Sequence, residues 1–308
     1  MDYDALIDTE TWDFIRRTRE TYPDDPAGRT LEEERAAYDA MCAVFRAPRP
    51  DVVDVQDVTA RDVPVRVYSA GAPSRTVVYF HGGGFVVGGL DSHDDVCAEI
   101  CVQTGYRVVA VDYRLAPEHK HPAAFDDAYA ATCWAETEFG DPIILAGDSA
   151  GGNLAAAVAQ HARGRLTCIM GQVLIYPGLG GDVDAGSYIE HADAPLLQRV
   201  YLVQYAGVRA EDGKAPTSDA TYAPLQGIDF SNLPPTIVFS AECDPVRDDG
   251  QVYCDRIRAS GGKAHWICEQ GLVHGYLRAR RTVARAQDSF ERIVVAIEAL
   301  GQEVWPYD

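Results

Sequence analysis

The stretch PIILAGDSAGGNLAAAVAQH, residues 142–161, passes from an apolar strand-like run to an alanine-rich helical one through GDSAGG. A strand that turns into a helix within so few residues needs positions without a β-carbon, and Gly147, Gly151 and Gly152 supply them. The turn lifts Ser149 above the strand's end. It also places the hydroxyl at a helix N-terminus, where unpaired amides and the helix dipole favour developing negative charge. GxSxG in this strand-turn-helix setting marks a nucleophilic serine rather than an ordinary glycine-rich helix start.

Around this turn the chain alternates. Strand-like runs are VVDVQDV, VPVRVYS, RTVVYF, YRVVAVDY, PIILAG, GQVLIY, TIVFSA and AHWICE, and helical stretches fall at 92–104, 122–139, 149–163, 245–259 and 283–300. Strands alternating with helices predict an α/β domain: an eight-stranded, mostly parallel sheet covered on both faces, with the first two runs as an antiparallel edge. Residues 1–47 read as two amphipathic helices laid over something else, and the stretch at about 178–230 breaks the alternation with a helix near 195–206 and polar, glycine-rich loops. The expected organisation is N-terminal cap helices at 1–50 and a catalytic domain at 51–308 that carries a cap insertion at about 178–230.

The 308 residues hold 47 acidic and 27 basic side chains, a net charge of −20 that repels polyphosphate and so argues against nucleic acid. The first residues carry acid where a secretory signal carries positive charge, and no segment supplies about 18 uninterrupted apolar residues for a membrane span. The sequence thus reads as a soluble cytoplasmic protein without membrane insertion. Eight cysteines stand outside any CxxC pair or small secreted framework, so disulfides are not implied. His93, Cys97 and Cys101 recur every four residues, a spacing that a metal site can use but that a buried apolar stripe explains better; no metal is expected.

A serine hydroxyl needs a base, and the base needs a third group to orient it. Beyond the helix that Ser149 opens, which itself carries His161, the histidines are His191, His265 and His274. His191 precedes any acid-bearing strand end and His265 alternates inside a strand run, which leaves His274, in GLVHGY, as the base. The acid is expected after TIVFSA, in ECDPVRDDG, where Glu242, Asp244, Asp248 and Asp249 compete. Asp244 lies nearest the strand end and Pro245 suits the first turn of a helix, which assigns Asp248 and Asp249 to that helix's surface. The other use for Asp244 is as a helix N-cap. Directly after RTVVYF comes HGGGFVVGG, residues 81–89; it lacks the GK[ST] ending of a phosphate loop and the GxGxxG of a dinucleotide site, so no cofactor is expected. Gly83 and Gly84, with the amide of Ala150, are candidate oxyanion-hole donors.

HGGG at 81–84, YRLAPEH at 113–119, GDSAGG at 147–152, DP at 244–245 and HGY at 274–276 occur in this order. With them the chain resembles the bacterial hormone-sensitive-lipase-like (HSL, family IV) carboxylesterases of the α/β-hydrolase superfamily. The resemblance implies an α/β-hydrolase fold with a helical cap, no cofactor, and a small-molecule ester substrate with a short to medium acyl chain. It implies hydrolysis through an acyl-enzyme, with Ser149 as nucleophile, His274 as base, Asp244 as orienting acid, and Gly83, Gly84 and Ala150 around the oxyanion. It also makes His81, the 113–119 segment and Asp148 supports rather than reactive groups. A homodimer is compatible with it, though the sequence offers no interface. The same residues can serve an amide, formamide or carbamate hydrolase. A receptor-like homologue is the other alternative, against which stands the retained His274.

Overall fold

The computed structural model describes residues 1–23 and 28–307; residues 24–27, within the N-terminal stretch read as helical, and Asp308 lie outside the described residues. The described chain forms strands β1 (Asp54–Ala60), β2 (Val63–Ser69), β3 (Thr76–Phe80), β4 (Arg107–Val111), β5 (Ile143–Asp148), β6 (Ile169–Ile175), β7 (Thr236–Cys243) and β8 (Ala264–Val273). They make one sheet in the order β1-β2-β4-β3-β5-β6-β7-β8. β2 is antiparallel to both of its neighbours, and every other adjacent pair is parallel. The expected antiparallel edge and parallel body are both present.

The helices are α1 (Tyr3–Leu6), α2 (Thr9–Thr21), α3 (Leu31–Phe45), α4 (Asp94–Thr104), α5 (Ala123–Phe139), α6 (Ala150–Ala162), α7 (Ser187–Glu190), α8 (Arg199–Arg209), α9 (Arg247–Ala259) and α10 (Ala284–Gly301). Strands covered on both faces read as continuous apolar runs, and β3, TVVYF, is buried throughout. The two-residue period then splits its side chains between two cores. Val77 and Tyr79 join Cys97 and Ile100 of α4 and Ile293 and Ile297 of α10. Val78 and Phe80 join Phe125 of α5, Leu154 of α6 and Ile257 of α9. Phe14, Ile15, Tyr38 and Met41 carry α2 and α3 onto the first of these cores. Cys97 and Cys101 are an apolar stripe on α4, and the buried His93 ring lies against Ser92 and Asp148. Among the described residues no His, Cys, Asp and Glu cluster has metal-binding geometry.

Three local expectations change. The last strand does not end at Glu269 but runs to Val273, because its register against β7 slips between Ala241 and Cys243 and the slack is taken up around Gly271. Gly271 sits at φ 69° and its amide donates to the Glu242 carboxylate at 2.7 Å. The helix expected near 195–206 begins only at Arg199, since Leu196 at φ 69° is left-handed and cannot belong to it. Asp249 is not on the surface of α9. It is 2% exposed and accepts from the amides of Leu179, Gly180 and Gly181 and from the Tyr188 hydroxyl, so it anchors the loop that follows β6. Burial outweighs these donors and pushes its carboxyl up to about 7.

Because every strand from β3 to β8 is parallel to its neighbour, their carboxyl ends share one rim. What holds that rim together is the approach of α6 to β3: a β-carbon on Gly151 would lie 1.9 Å from the Phe80 carbonyl oxygen. At Gly178 the nearest atom would be Val246 Cγ1 at 3.7 Å. Gly151→Ala is therefore expected to destabilise the fold by about 3 kcal/mol or abolish it, and Gly178→Ala to change stability by less than about 0.5 kcal/mol. Urea unfolding midpoints of the two variants check this.

Candidate active site

β5 ends at Asp148 and α6 starts at Ala150, so Ser149 alone makes the turn, at φ 54° and ψ −117°. This conformation is unfavourable for a residue with a side chain and persists only where the surroundings fix it. The Ser149 amide donates to Ile175 O at 2.8 Å and its carbonyl accepts from Asn153 N at 3.1 Å. Gly147 and Gly151 pack so closely that a β-carbon on the former would lie 2.5 Å from the latter's carbonyl carbon. The side chain is left pointing off the rim.

Ser149 Oγ lies 2.8 Å from His274 Nε2, and His274 Nδ1 lies 2.6 Å from Asp244 Oδ2. One tautomer satisfies both contacts: Nδ1–H donates to the carboxylate and Nε2 accepts from the hydroxyl. The β8 irregularity carries His274 to this position, one residue beyond the strand end. The Tyr176 ring flanks the imidazole with centroids 4.9 Å apart. Asp244 is fully buried, and its other oxygen, Oδ1, accepts from Val246 N at 3.0 Å. It thus faces His274 and closes the turn ahead of α9 at once, with α9 starting at Arg247 and Pro245 outside it.

The glycine loop leaves β3 and is folded back on itself, Gly83 O accepting from Val86 N and Val87 N at 3.0 Å. Gly83 (φ 128°) and Gly84 (φ 61°) take conformations that side chains disfavour, and their amides have no acceptor among the described residues. The first helical amide, that of Ala150, has no intrahelical partner either. Ser149, His274, Gly83, Gly84 and Ala150 all open into one cavity of about 270 Å³.

Behind the loop stands Asp148, 2% exposed. It accepts from Gly82 N at 3.0 Å, from the Tyr79 hydroxyl at 2.9 Å and from the Tyr176 hydroxyl at 3.3 Å, with His93 Nε2 at 3.1 Å. Burial acts to raise its carboxyl, but the His93 ring, the Arg278 guanidinium and the Tyr79 hydroxyl outweigh it and hold the group well below the usual carboxylate range. Burial pushes His81 down to about 4, and its neutral ring stacks on Tyr113 with centroids 4.3 Å apart. Arg35 of α3 clamps the outside, donating to Val86 O at 2.9 Å, to Ala116 O at 3.2 Å and end-on, through Nη1 and Nη2, to Glu118 at 2.7 and 2.8 Å.

Sequence reasoning missed several cavity residues. Asn153 ties α6 to the segment beyond β6, donating to Gly178 O and Tyr222 O. Tyr205 packs over Gly84, where a β-carbon would lie 3.1 Å from its ring, and Arg209 and Arg278 also line the cavity. Asn153, four residues after the serine on an otherwise alanine-rich helix, was a legible signal; α8 carries no motif.

An eight-stranded, mostly parallel sheet with helices on both faces and a serine turn at its rim defines an α/β hydrolase. Residues 77–278 match the alpha/beta hydrolase fold family, and the chain belongs to it. It is 41% identical over 254 residues to carboxylesterase NlhH of Mycobacterium tuberculosis, covering 77% of this chain and 78% of that protein. It is 33% identical over 298 residues to ethyl acetate hydrolase of Pseudomonas putida, covering 89% and 90%. An esterase structure from the bacterial hormone-sensitive lipase (HSL) family superposes with a TM-score of 0.87 at 26% identity, covering 95% of this chain and 98% of the other, which makes the fold HSL-like.

With four groups sharing one carboxylate, Asp148→Asn is expected to cost about 3 kcal/mol of stability at pH 7. A carboxyl depressed in the folded state stabilises above its unfolded pKa of about 3.9 and loses that contribution as pH falls towards its folded value. Urea titrations from neutral pH downward should show parent and variant converging below about pH 4.

Proposed function

We propose that this carboxylic ester hydrolase cleaves short- to medium-chain esters through an acyl-enzyme on Ser149. The observation that carries the reading is the unbroken contact chain from Asp244 to His274 to Ser149, 2.6 and 2.8 Å long, opening into the cavity. Ser149 Oγ attacks the ester carbonyl carbon while His274 Nε2 takes its proton. Asp244 holds the imidazole in the tautomer that leaves Nε2 free to accept, and stabilises the imidazolium that forms. The tetrahedral oxyanion lies against the amides of Gly83, Gly84 and Ala150, and one such donor contributes about 10²–10³ in rate. Collapse expels the alcohol, which takes its proton from His274. Water, deprotonated by the same nitrogen, then attacks the acyl carbonyl and releases the acid.

Residues 1–50 and 178–230 act in this reading as a cap that sets substrate size. α2, α3 and α8 wall the cavity through Phe14, Tyr38 and Tyr205, and its volume of about 270 Å³ is small for a lipid tail. A relative named for ethyl acetate hydrolysis agrees with a small acyl group. The ester-hydrolase class itself rests on kinship with named carboxylesterases over most of the chain.

Ser149→Ala is expected to lower kcat on p-nitrophenyl butyrate by about 10⁶-fold, by analogy with other serine triads. A fluorophosphonate should add to the parent and not to the variant, as read by intact mass. A variant that keeps near-parental turnover overturns the assignment. Across p-nitrophenyl esters from acetyl to dodecanoyl, kcat/KM is expected to peak among the shorter chains.

A further inference from the structure

Several arginines in this acidic protein meet a carboxylate with one particular edge. Arg66 presents Nε and Nη2 side-on to Asp57 at 2.6 and 2.9 Å, and Arg114 presents the same pair to Asp127 at 2.8 and 2.7 Å. These two nitrogens point the same way on the planar guanidinium and match the two oxygens of a carboxylate.

Arg209, the last residue of α8, keeps that edge empty. It lines the cavity that holds Ser149 and His274 and is 4% exposed. Its guanidinium carbon lies 3.6 Å from the Phe85 ring centroid and 4.3 Å from that of Tyr222, between two aromatic walls. Nη1 donates to Tyr222 O at 2.9 Å, whereas Nε and Nη2 are buried without any acceptor. No carboxylate oxygen comes within 4.0 Å of this side chain among the described residues. Burial lowers its pKa only to about 10, so it stays charged at neutral pH. A buried cation with two unmet donors is costly unless something supplies the missing acceptor.

Its surroundings belong to the same cavity. Phe85, which forms one wall, directly follows Gly84, so the guanidinium packs against the glycine loop that borders the cavity. A second cavity-lining arginine, Arg278, also has no carboxylate within 4.0 Å among the described residues; it donates to the Tyr38 hydroxyl and leaves Nε without an acceptor. Two cations without a direct ion pair thus border a cavity that Glu34 and Asp148 also line, in a chain of net charge −20.

We propose that Arg209 is a specificity-determining residue that takes a carboxylate on the substrate side-on through Nε and Nη2, so that the preferred substrates are half-esters carrying a second, ionised carboxyl group. The proposal rests on the ester-hydrolase reading above. Arg278 adds positive potential from the α3 side of the cavity, where Tyr38 holds it.

The test compares monoethyl succinate with ethyl succinamate, which has the same shape but an uncharged amide in place of the free carboxylate. For the parent enzyme, kcat/KM for the anion should exceed that for the amide by about tenfold or more, the range of a hydrogen bond to a charged group. In Arg209→Gln that ratio should fall about tenfold, and Arg209→Lys should restore part of it. A parental ratio of one or below overturns the proposal whatever the variants do, and needs no variant to fold. A glutamine variant that slows both esters alike also overturns it, since the arginine would then only brace α8 against Phe85. Turnover of p-nitrophenyl butyrate by the parent separates the two readings: if it proceeds while the ratio is one or below, only the half-ester inference falls. If no ester is cleaved, both fall.

Discussion

Backbone meets backbone where α6 crosses the end of β3, and the rest of the site depends on that contact. Gly151 has no side chain, and the space a methyl would need is already occupied by the Phe80 carbonyl. The contact sets the N-terminus of α6 beside the loop leaving β3. The amide of Ala150 and those of Gly83 and Gly84 can then border one cavity although more than sixty residues separate them in sequence. Ser149 takes up the geometric mismatch. With strand and helix both fixed, the residue between them has only a positive φ left to it, which throws its hydroxyl clear of the sheet.

A strained turn needs stiff surroundings, and here polar and apolar devices share the task. Asp148 is a strand residue whose carboxylate gathers the first amide of the glycine loop, the hydroxyls of Tyr79 on β3 and of Tyr176 just past β6, and His93, which directly precedes α4. Such a network is stabilising only while every member is satisfied, because an unpaired carboxylate at that depth would be far worse than an apolar side chain. On the other side of Ser149 the last strand is irregular. The slip between β7 and β8 uses extra residues around Gly271 and delivers His274 at hydrogen-bond distance from Ser149, while Asp244 comes straight off β7. Bulges of this kind re-aim side chains at sheet edges.

Much of this was legible in the sequence because it is local. Strand and helix periods fixed the eight strands and their flanking helices, and the glycines around Ser149 and at 82–84 have no other economical explanation. His274 and Asp244 followed from chain order, and the structure brings His274 to Ser149 and Asp244 to His274. What escaped is non-local. Asp249 looked like a helix surface residue because its partners, the amides of 179–181, lie on a loop that no helical period can reveal. The end of β8 was missed because EQGLV does not alternate cleanly around a bulge. Arg209 had no motif at all: its meaning lies in two rings, Phe85 and Tyr222, that come from different segments.

The charge distribution joins these threads. Most of the acidic surplus is solvated, and at physiological ionic strength exposed charges are screened within about 8 Å. The outer field of a chain at −20 therefore influences how often an anion arrives far more than how it is held once inside. Inside, the dielectric is lower and each fixed dipole counts for more. There donors gather, with three unpaired amides at the glycine loop and the helix start, the N-terminal end of α6, and two arginines without a direct carboxylate partner. The deep carboxylates close by, Asp148 and Asp244, are each engaged by their own partners. An interior so arranged stabilises negative charge that develops on a carbonyl oxygen, and the same potential extends to any fixed anion that shares the cavity with it.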